Sequence, residues 1–67
     1  MTLADQIEDI VGRRTDMTEA MLAEALFGSA GYQQRVNSTC RRMIKEGRLK
    51  RSGRGGATDP FTYSLAL

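Results

Sequence analysis

The chain is predicted to be a small α+β fold, three helices followed by a C-terminal two-stranded β-hairpin. Three observations predict it. Apolar residues recur at helical spacing in three separate stretches, the period drops from about 3.6 to 2 beyond Gly47, and glycines mark the joints. The 67 residues are read as one domain, 1–67. A hydrophobic fraction of 40% beside 27% charged residues suits a folded chain rather than a disordered tail. A chain of this size buries only about 60% of its unfolded surface, which excludes a large enzyme or a deep, walled cavity.

The first helix is expected over about 3–13. Leu3, Ile7, Ile10 and Val11 form one apolar stripe. Thr2 and Asp5 have the spacing of a capping box, and Arg13 and Arg14 suit the negative end of the helix dipole. Asp5, Glu8 and Asp9 read as helix-start acids on a solvated face. Thr15 to Thr18 reads as a connector holding two candidate caps, Asp16 and Thr18. The second helix, about 18–27, is expected to turn Met21, Leu22, Ala25 and Leu26 inward, with Gly28 as its left-handed stop.

A third helix is expected over about 32–46. Val36, Cys40, Met43 and Ile44 mark its apolar face, and the opposite face carries Gln34, Ser38, Arg41, Arg42 and Lys45. Cys40 reads as a buried small hydrophobe rather than a reactive thiol. Tyr32 reads as a packing residue. The hairpin strands are placed at about 48–52 and 61–66: Leu49 faces inward, and Phe61, Tyr63, Leu65 and Leu67 alternate with Thr62, Ser64 and Ala66. Between them runs a glycine-rich loop, Gly53 to Pro60. That loop lacks the Lys-Ser/Thr ending of a phosphate-binding P-loop, and no helix is expected after it.

Charge divides sharply along this order. Residues 1–34 carry a net −4 and residues 35–54 a net +7, although the whole chain is only +2. Eight of the ten basic residues are arginine, whose forked guanidinium suits phosphate and guanine. Such a run fits either an anion-binding surface or a solvated charged face.

Met17 to Leu26 with the following glycine turn resembles the opening of a helix-turn-helix, and Val36 to Leu49 resembles a recognition helix running into a wing strand. Lys50 to Gly56, followed by Phe61 to Leu65, is similar to the wing of winged-helix proteins. The likeness spans about Leu3 to Leu67 and names the winged helix-turn-helix superfamily. It implies double-stranded DNA as the partner, with the third helix in the major groove and the wing on the backbone or an adjacent groove. It also implies a small transcription regulator or a DNA-binding accessory protein, of bacterial or phage type. The residue chemistry agrees. Gln33, Gln34, Asn37, Ser38, Arg41 and Arg42 can donate to base edges or phosphates, with amides suited to adenine and arginine to guanine. Arg35 and Lys45 add charge on the same helix, and Lys50, Arg51 and Arg54 supply cations to the wing. Winged helices that read left-handed duplexes pair an asparagine with a tyrosine one turn on and use a tryptophan near the wing. Here Arg41 follows Asn37 by one turn and tryptophan is absent.

The second reading is a protein-interaction module docking an acidic partner through the same basic face. Enzyme function is not expected: with no histidine and a core cysteine, no nucleophile–base pair can be assembled. No metal, cofactor or small-molecule ligand is expected, because zinc needs four Cys or His ligands. RNA binding would need a stacking platform, and the four aromatic residues are mainly taken by core positions. No apolar run reaches the roughly 20 residues of a membrane span, and the N-terminal residues lack the basic start of a secretory signal. One unpaired cysteine suits a reducing cytoplasm. A monomer, or a weak homodimer through the first helix, is expected.

Overall fold

The computed structural model describes residues 1–66. In chain order it holds α1 (Leu3–Arg13), β1 (Met17–Thr18), α2 (Glu19–Phe27), a single 3₁₀ turn (Ala30–Tyr32), α3 (Gln33–Lys45), β2 (Leu49–Ser52) and β3 (Thr62–Leu65). The class is α+β, with three α-helices and one three-stranded antiparallel sheet.

Local chemistry sets most of these ends. The Thr2 hydroxyl accepts from the Asp5 amide at 3.2 Å while the Asp5 carboxylate accepts from the Thr2 amide at 3.3 Å, so the capping box closes in both directions. Of the two caps available to α2, Thr18 is used: its hydroxyl accepts from the Met21 amide at 3.1 Å. Gly28 ends α2 at φ 72°, the left-handed conformation that glycine adopts without steric cost.

The expected two-stranded hairpin is corrected to a three-stranded sheet in the order β1–β3–β2. Met17 lies opposite Tyr63 and Thr18 opposite Thr62, so part of the supposed connector forms the third strand. A two-residue strand shows no alternation to read. Asp16, at φ 57°, turns the chain into it, and the 1% exposure of Met17 shows what holds it there. On the other side of β3, Leu49 pairs with Leu65 and Arg51 with Tyr63. Leu67, expected as the last inward residue of this strand, lies outside the described residues.

The core joins all layers. Ile7 and Val11 of α1, Leu22 and Ala23 of α2, and Val36, Cys40 and Met43 of α3 pack with Met17, Leu49 and Tyr63 of the sheet. The inward face of α2 differs from expectation. Met21 is 47% exposed and Ala25 is also exposed, while Ala23 is buried beside Leu22. The helix is apolar nearly all round, so its period leaves its orientation undetermined, and packing decides. Tyr32, expected to pack inward, sits in the 3₁₀ turn at 48% exposure, its ring stacked 4.7 Å from that of Phe27.

The loop between β2 and β3 is built rather than slack. The Asp59 carbonyl accepts from the amides of Arg54, Gly55 and Gly56 at 3.2, 2.9 and 3.2 Å. Gly53 needs its positive φ of 92°, and a Cβ there would lie 2.5 Å from the Pro60 carbonyl oxygen. Gly56 has open space around it. Gly53→Ala is therefore expected to cost about 1 kcal/mol or more in urea unfolding, whereas Gly56→Ala is expected to leave stability unchanged or raise it by a few tenths.

Candidate nucleic-acid interface

The side chains of α3 divide by angle around its axis. Val36, Cys40 and Met43 are wholly buried, which commits one side of the helix to the core. At about 100° per residue, the arc farthest from them carries Gln34, Arg35, Ser38, Arg41, Arg42 and Lys45, all of them exposed. Gln33 and Asn37 lie on the flank between this arc and the core. The Ser38 hydroxyl donates to the Gln34 carbonyl at 3.1 Å and keeps its acceptor capacity.

The hairpin residues are less united. Lys50 pairs with Ser64 and Arg51 with Tyr63, and alternation puts these two pairs on opposite faces of the sheet. Arg51 shares the core-side face with Leu49 and Tyr63, yet near the sheet edge it stays exposed, its guanidinium 3.9 Å from the Phe61 ring centroid. Lys50 is on the far face. Arg54 is exposed within the loop. Arg35 lies 5.6 Å from the Phe27 ring centroid, a looser contact of the same kind.

Among the described residues, no carboxylate lies within ion-pair distance of Arg35, Arg41, Arg42, Lys45, Lys50, Arg51 or Arg54. The other cation of the basic stretch behaves differently. Arg48 donates to Glu8 at 3.2 and 3.3 Å and to Asp5 at 3.1 Å, tying the end of α3 to α1. Asp5 and Glu8 are thus partners of Arg48, not simply solvated acids. Asp9 pairs with Arg13 one turn along α1 at 3.1 Å. The Thr2 amide, then the Thr2 side chain and Arg48, hold the Asp5 carboxyl below its usual range. Glu8 first, and Asp5 second, raise the Arg48 guanidinium.

Asn37 is half-buried, and its amide donates to Glu19 Oε1 at 2.6 Å. The same oxygen accepts from the Tyr63 hydroxyl at 2.7 Å. Glu19 therefore joins the start of α2, the flank of α3 and the middle strand. Sequence reading missed it: beside the Thr18 cap it looks like one more helix-start acid, and its partners lie 18 and 44 residues away. Glu19 also lines a cleft of about 370 Å³ with Thr18, Gln33, Gly55, Pro60 and Phe61, between the start of α2, the start of α3 and the loop. Among the described residues, no helix is long and apolar enough to cross a membrane, and no group of three or more acidic, cysteine or histidine side chains is placed to hold a metal. Comparison with protein-family models, curated proteins and solved structures gives no match.

Two weak acids lie behind this surface. Burial, with the charge of Glu19 adding to it, pushes the Cys40 thiol up to about 12. Burial, then the hydrogen bond to Glu19, raises the Tyr63 phenol above its ordinary value. Both groups hold their protons more tightly folded than unfolded. Their contribution is complete below the unfolded thiol value near 9 and is lost as pH rises towards the folded values. The melting temperature is expected to be level from pH 7 to about 8.5 and to fall above it, with the fall in Cys40→Ala beginning nearer pH 10. A thermal melt series in pH checks this.

Proposed function

We propose that this chain is a DNA-binding winged helix-turn-helix domain acting in the cytoplasm, as a small transcription regulator or a DNA-binding accessory protein. In this reading α3 enters the major groove of double-stranded DNA, and the β2–β3 hairpin serves as a basic wing against the backbone or the adjacent groove.

The observation that carries it is the set of exposed cations without an ion pair among the described residues: Arg35, Arg41, Arg42 and Lys45 on the outer arc of α3, and Arg51 and Arg54 on the hairpin that follows it. Eight cations against the single carboxylate of Glu46 in residues 35–54 repel one another, a cost that an anionic partner relieves. A helix fits the roughly 12 Å major groove, and the outer arc of α3 carries only groups able to contact base edges and phosphates. Lys50, on the far face of the sheet, is the weakest member of the set.

Fluorescence anisotropy on a duplex at increasing salt tests the proposal. Log affinity is expected to fall linearly with log salt, at a slope of about −0.9 for each phosphate contacted. Arg41→Ala with Arg42→Ala is expected to weaken binding and flatten the slope by about 0.9 for each phosphate no longer neutralised, with little change in melting temperature. Arg48→Met, which breaks the pairs with Asp5 and Glu8 instead, is expected to lower the melting temperature slightly and to leave the slope alone. No binding at low salt, or binding indifferent to salt, rejects the reading. Retention of an acidic polypeptide in place of duplex would favour the protein-docking alternative.

A further inference from the structure

We infer that Glu19 is a positioning residue for base recognition: it fixes the rotation of the Asn37 amide so that this side chain reads adenine. The inference rests on the DNA-binding reading above and adds to it a source of sequence discrimination.

A free asparagine amide can turn either end towards a neighbour, because its oxygen and nitrogen are nearly the same size. Glu19 removes that freedom. A carboxylate only accepts, so the contact of 2.6 Å between Asn37 Nδ2 and Glu19 Oε1 exists in one amide orientation. The opposite orientation would set two acceptor oxygens against each other. In this reading Glu19 takes the N–H anti to Oδ1, which leaves the syn N–H donor and the Oδ1 acceptor side by side. Adenine offers the matching pair on its major-groove edge, the N7 acceptor and the N6 amino donor.

The anchor of this arrangement is itself anchored. Glu19 Oε1 also accepts from the Tyr63 hydroxyl at 2.7 Å, and Tyr63 is 1% exposed at the centre of the sheet. Rotation of Asn37 is thus referred back to the core through two hydrogen bonds. Gln34, Arg41 and Arg42 have no such support: among the described residues no side-chain hydrogen bond restrains their amide or guanidinium groups, so ordering them on a base costs rotamer entropy. Asn37 also stands one turn along α3 from Gln33, which lines the cleft together with Glu19 and the loop. A half-buried amide hydrogen-bonded to Glu19 has the rigidity that paired contacts to one base demand.

The test is selection of bound duplexes from a randomised library by the full chain, followed by anisotropy on the best site and its single-base variants. Wild type is expected to favour adenine at one position by roughly ten-fold or more, and Asn37→Ala to lose that preference. Glu19→Gln can both donate and accept, so it lets Asn37 turn. It is expected to lose the same preference while its melting temperature and salt slope stay close to wild type. Tyr63→Phe is expected to melt lower and to weaken the preference less than Glu19→Gln does, because Glu19 still holds Asn37 after losing its own tie to the core.

Undiminished adenine preference in Glu19→Gln overturns the inference. So does equal loss in Tyr63→Phe, which would assign the effect to the fold, and so does wild-type binding that is indifferent to adenine. Those results leave DNA binding standing. Failure of wild type to retain any duplex at low salt rejects the DNA reading itself, and the inference with it.

Discussion

Tyr63 occupies the middle strand of a three-stranded sheet with its ring in the core, and a buried phenol needs a hydrogen-bond partner. Leaving its hydroxyl unsatisfied would cost about 1–3 kcal/mol, a serious fraction of the stability of a domain this small. The partner comes from the first turn of α2, where a negative side chain also complements the helix dipole. Meeting that one requirement brings Glu19 to the sheet, and Glu19 in turn takes the Asn37 amide of α3. The relative placement of α2, α3 and β3 is therefore fixed by two donors sharing one oxygen, on top of the apolar contacts around them.

The packing of α3 then determines what the surface looks like. Val36, Cys40 and Met43 are fully buried, so the arc opposite them has nowhere to go but solvent. Asp5 and Glu8 of α1 are paired with Arg48, which lies between α3 and β2, and among the described residues Arg35, Arg41, Arg42 and Lys45 have no ion pair. Charge separation in the sequence thus becomes charge separation in space. Two ion pairs from Arg48 close the joint between α1 and the turn after α3, and the cations on the outer arc of α3 stay open.

Legibility in the sequence followed the range of the interactions. The three helices were readable because their stripes and caps are local: Thr2 with Asp5, Thr18 with Met21, and Gly28 at a left-handed stop each involve neighbours in the chain. The three-strand sheet was only partly readable. Two residues at Met17–Thr18 carry no period, and their partner Tyr63 lies far along the chain. The facing of α2 was unreadable for the opposite reason, since apolar residues on nearly every side leave its orientation to tertiary packing. Within the candidate site, the exposure of Gln34, Ser38, Arg41, Arg42 and Lys45 followed from helical geometry. Sequence reading grouped Lys50 with Arg51 as wing cations, although alternation about the inward Leu49 puts them on opposite faces of the sheet. Glu19 carried no such signal, since its role exists only when α2, α3 and β3 are brought together.

Under the DNA-binding reading, this division of labour has a physical basis. Long cationic side chains on a solvated arc make strong, adaptable contacts with a uniform polyanion, and their mobility costs little when any phosphate will serve. Discrimination between bases asks for the reverse: few groups, held so firmly that a mismatched edge cannot be accommodated by a change of rotamer. α3 offers both on adjoining sides, because among the described residues no ion pair holds the cations of its outer arc, while its flank is tied through Glu19 to the phenol in the core. The flank is held because Glu19 at the start of α2 reaches both Asn37 of α3 and Tyr63 of the middle strand. The 2.6 Å contact to Glu19 fits the short amide at position 37, so the identity of that residue is coupled to the packing beneath it.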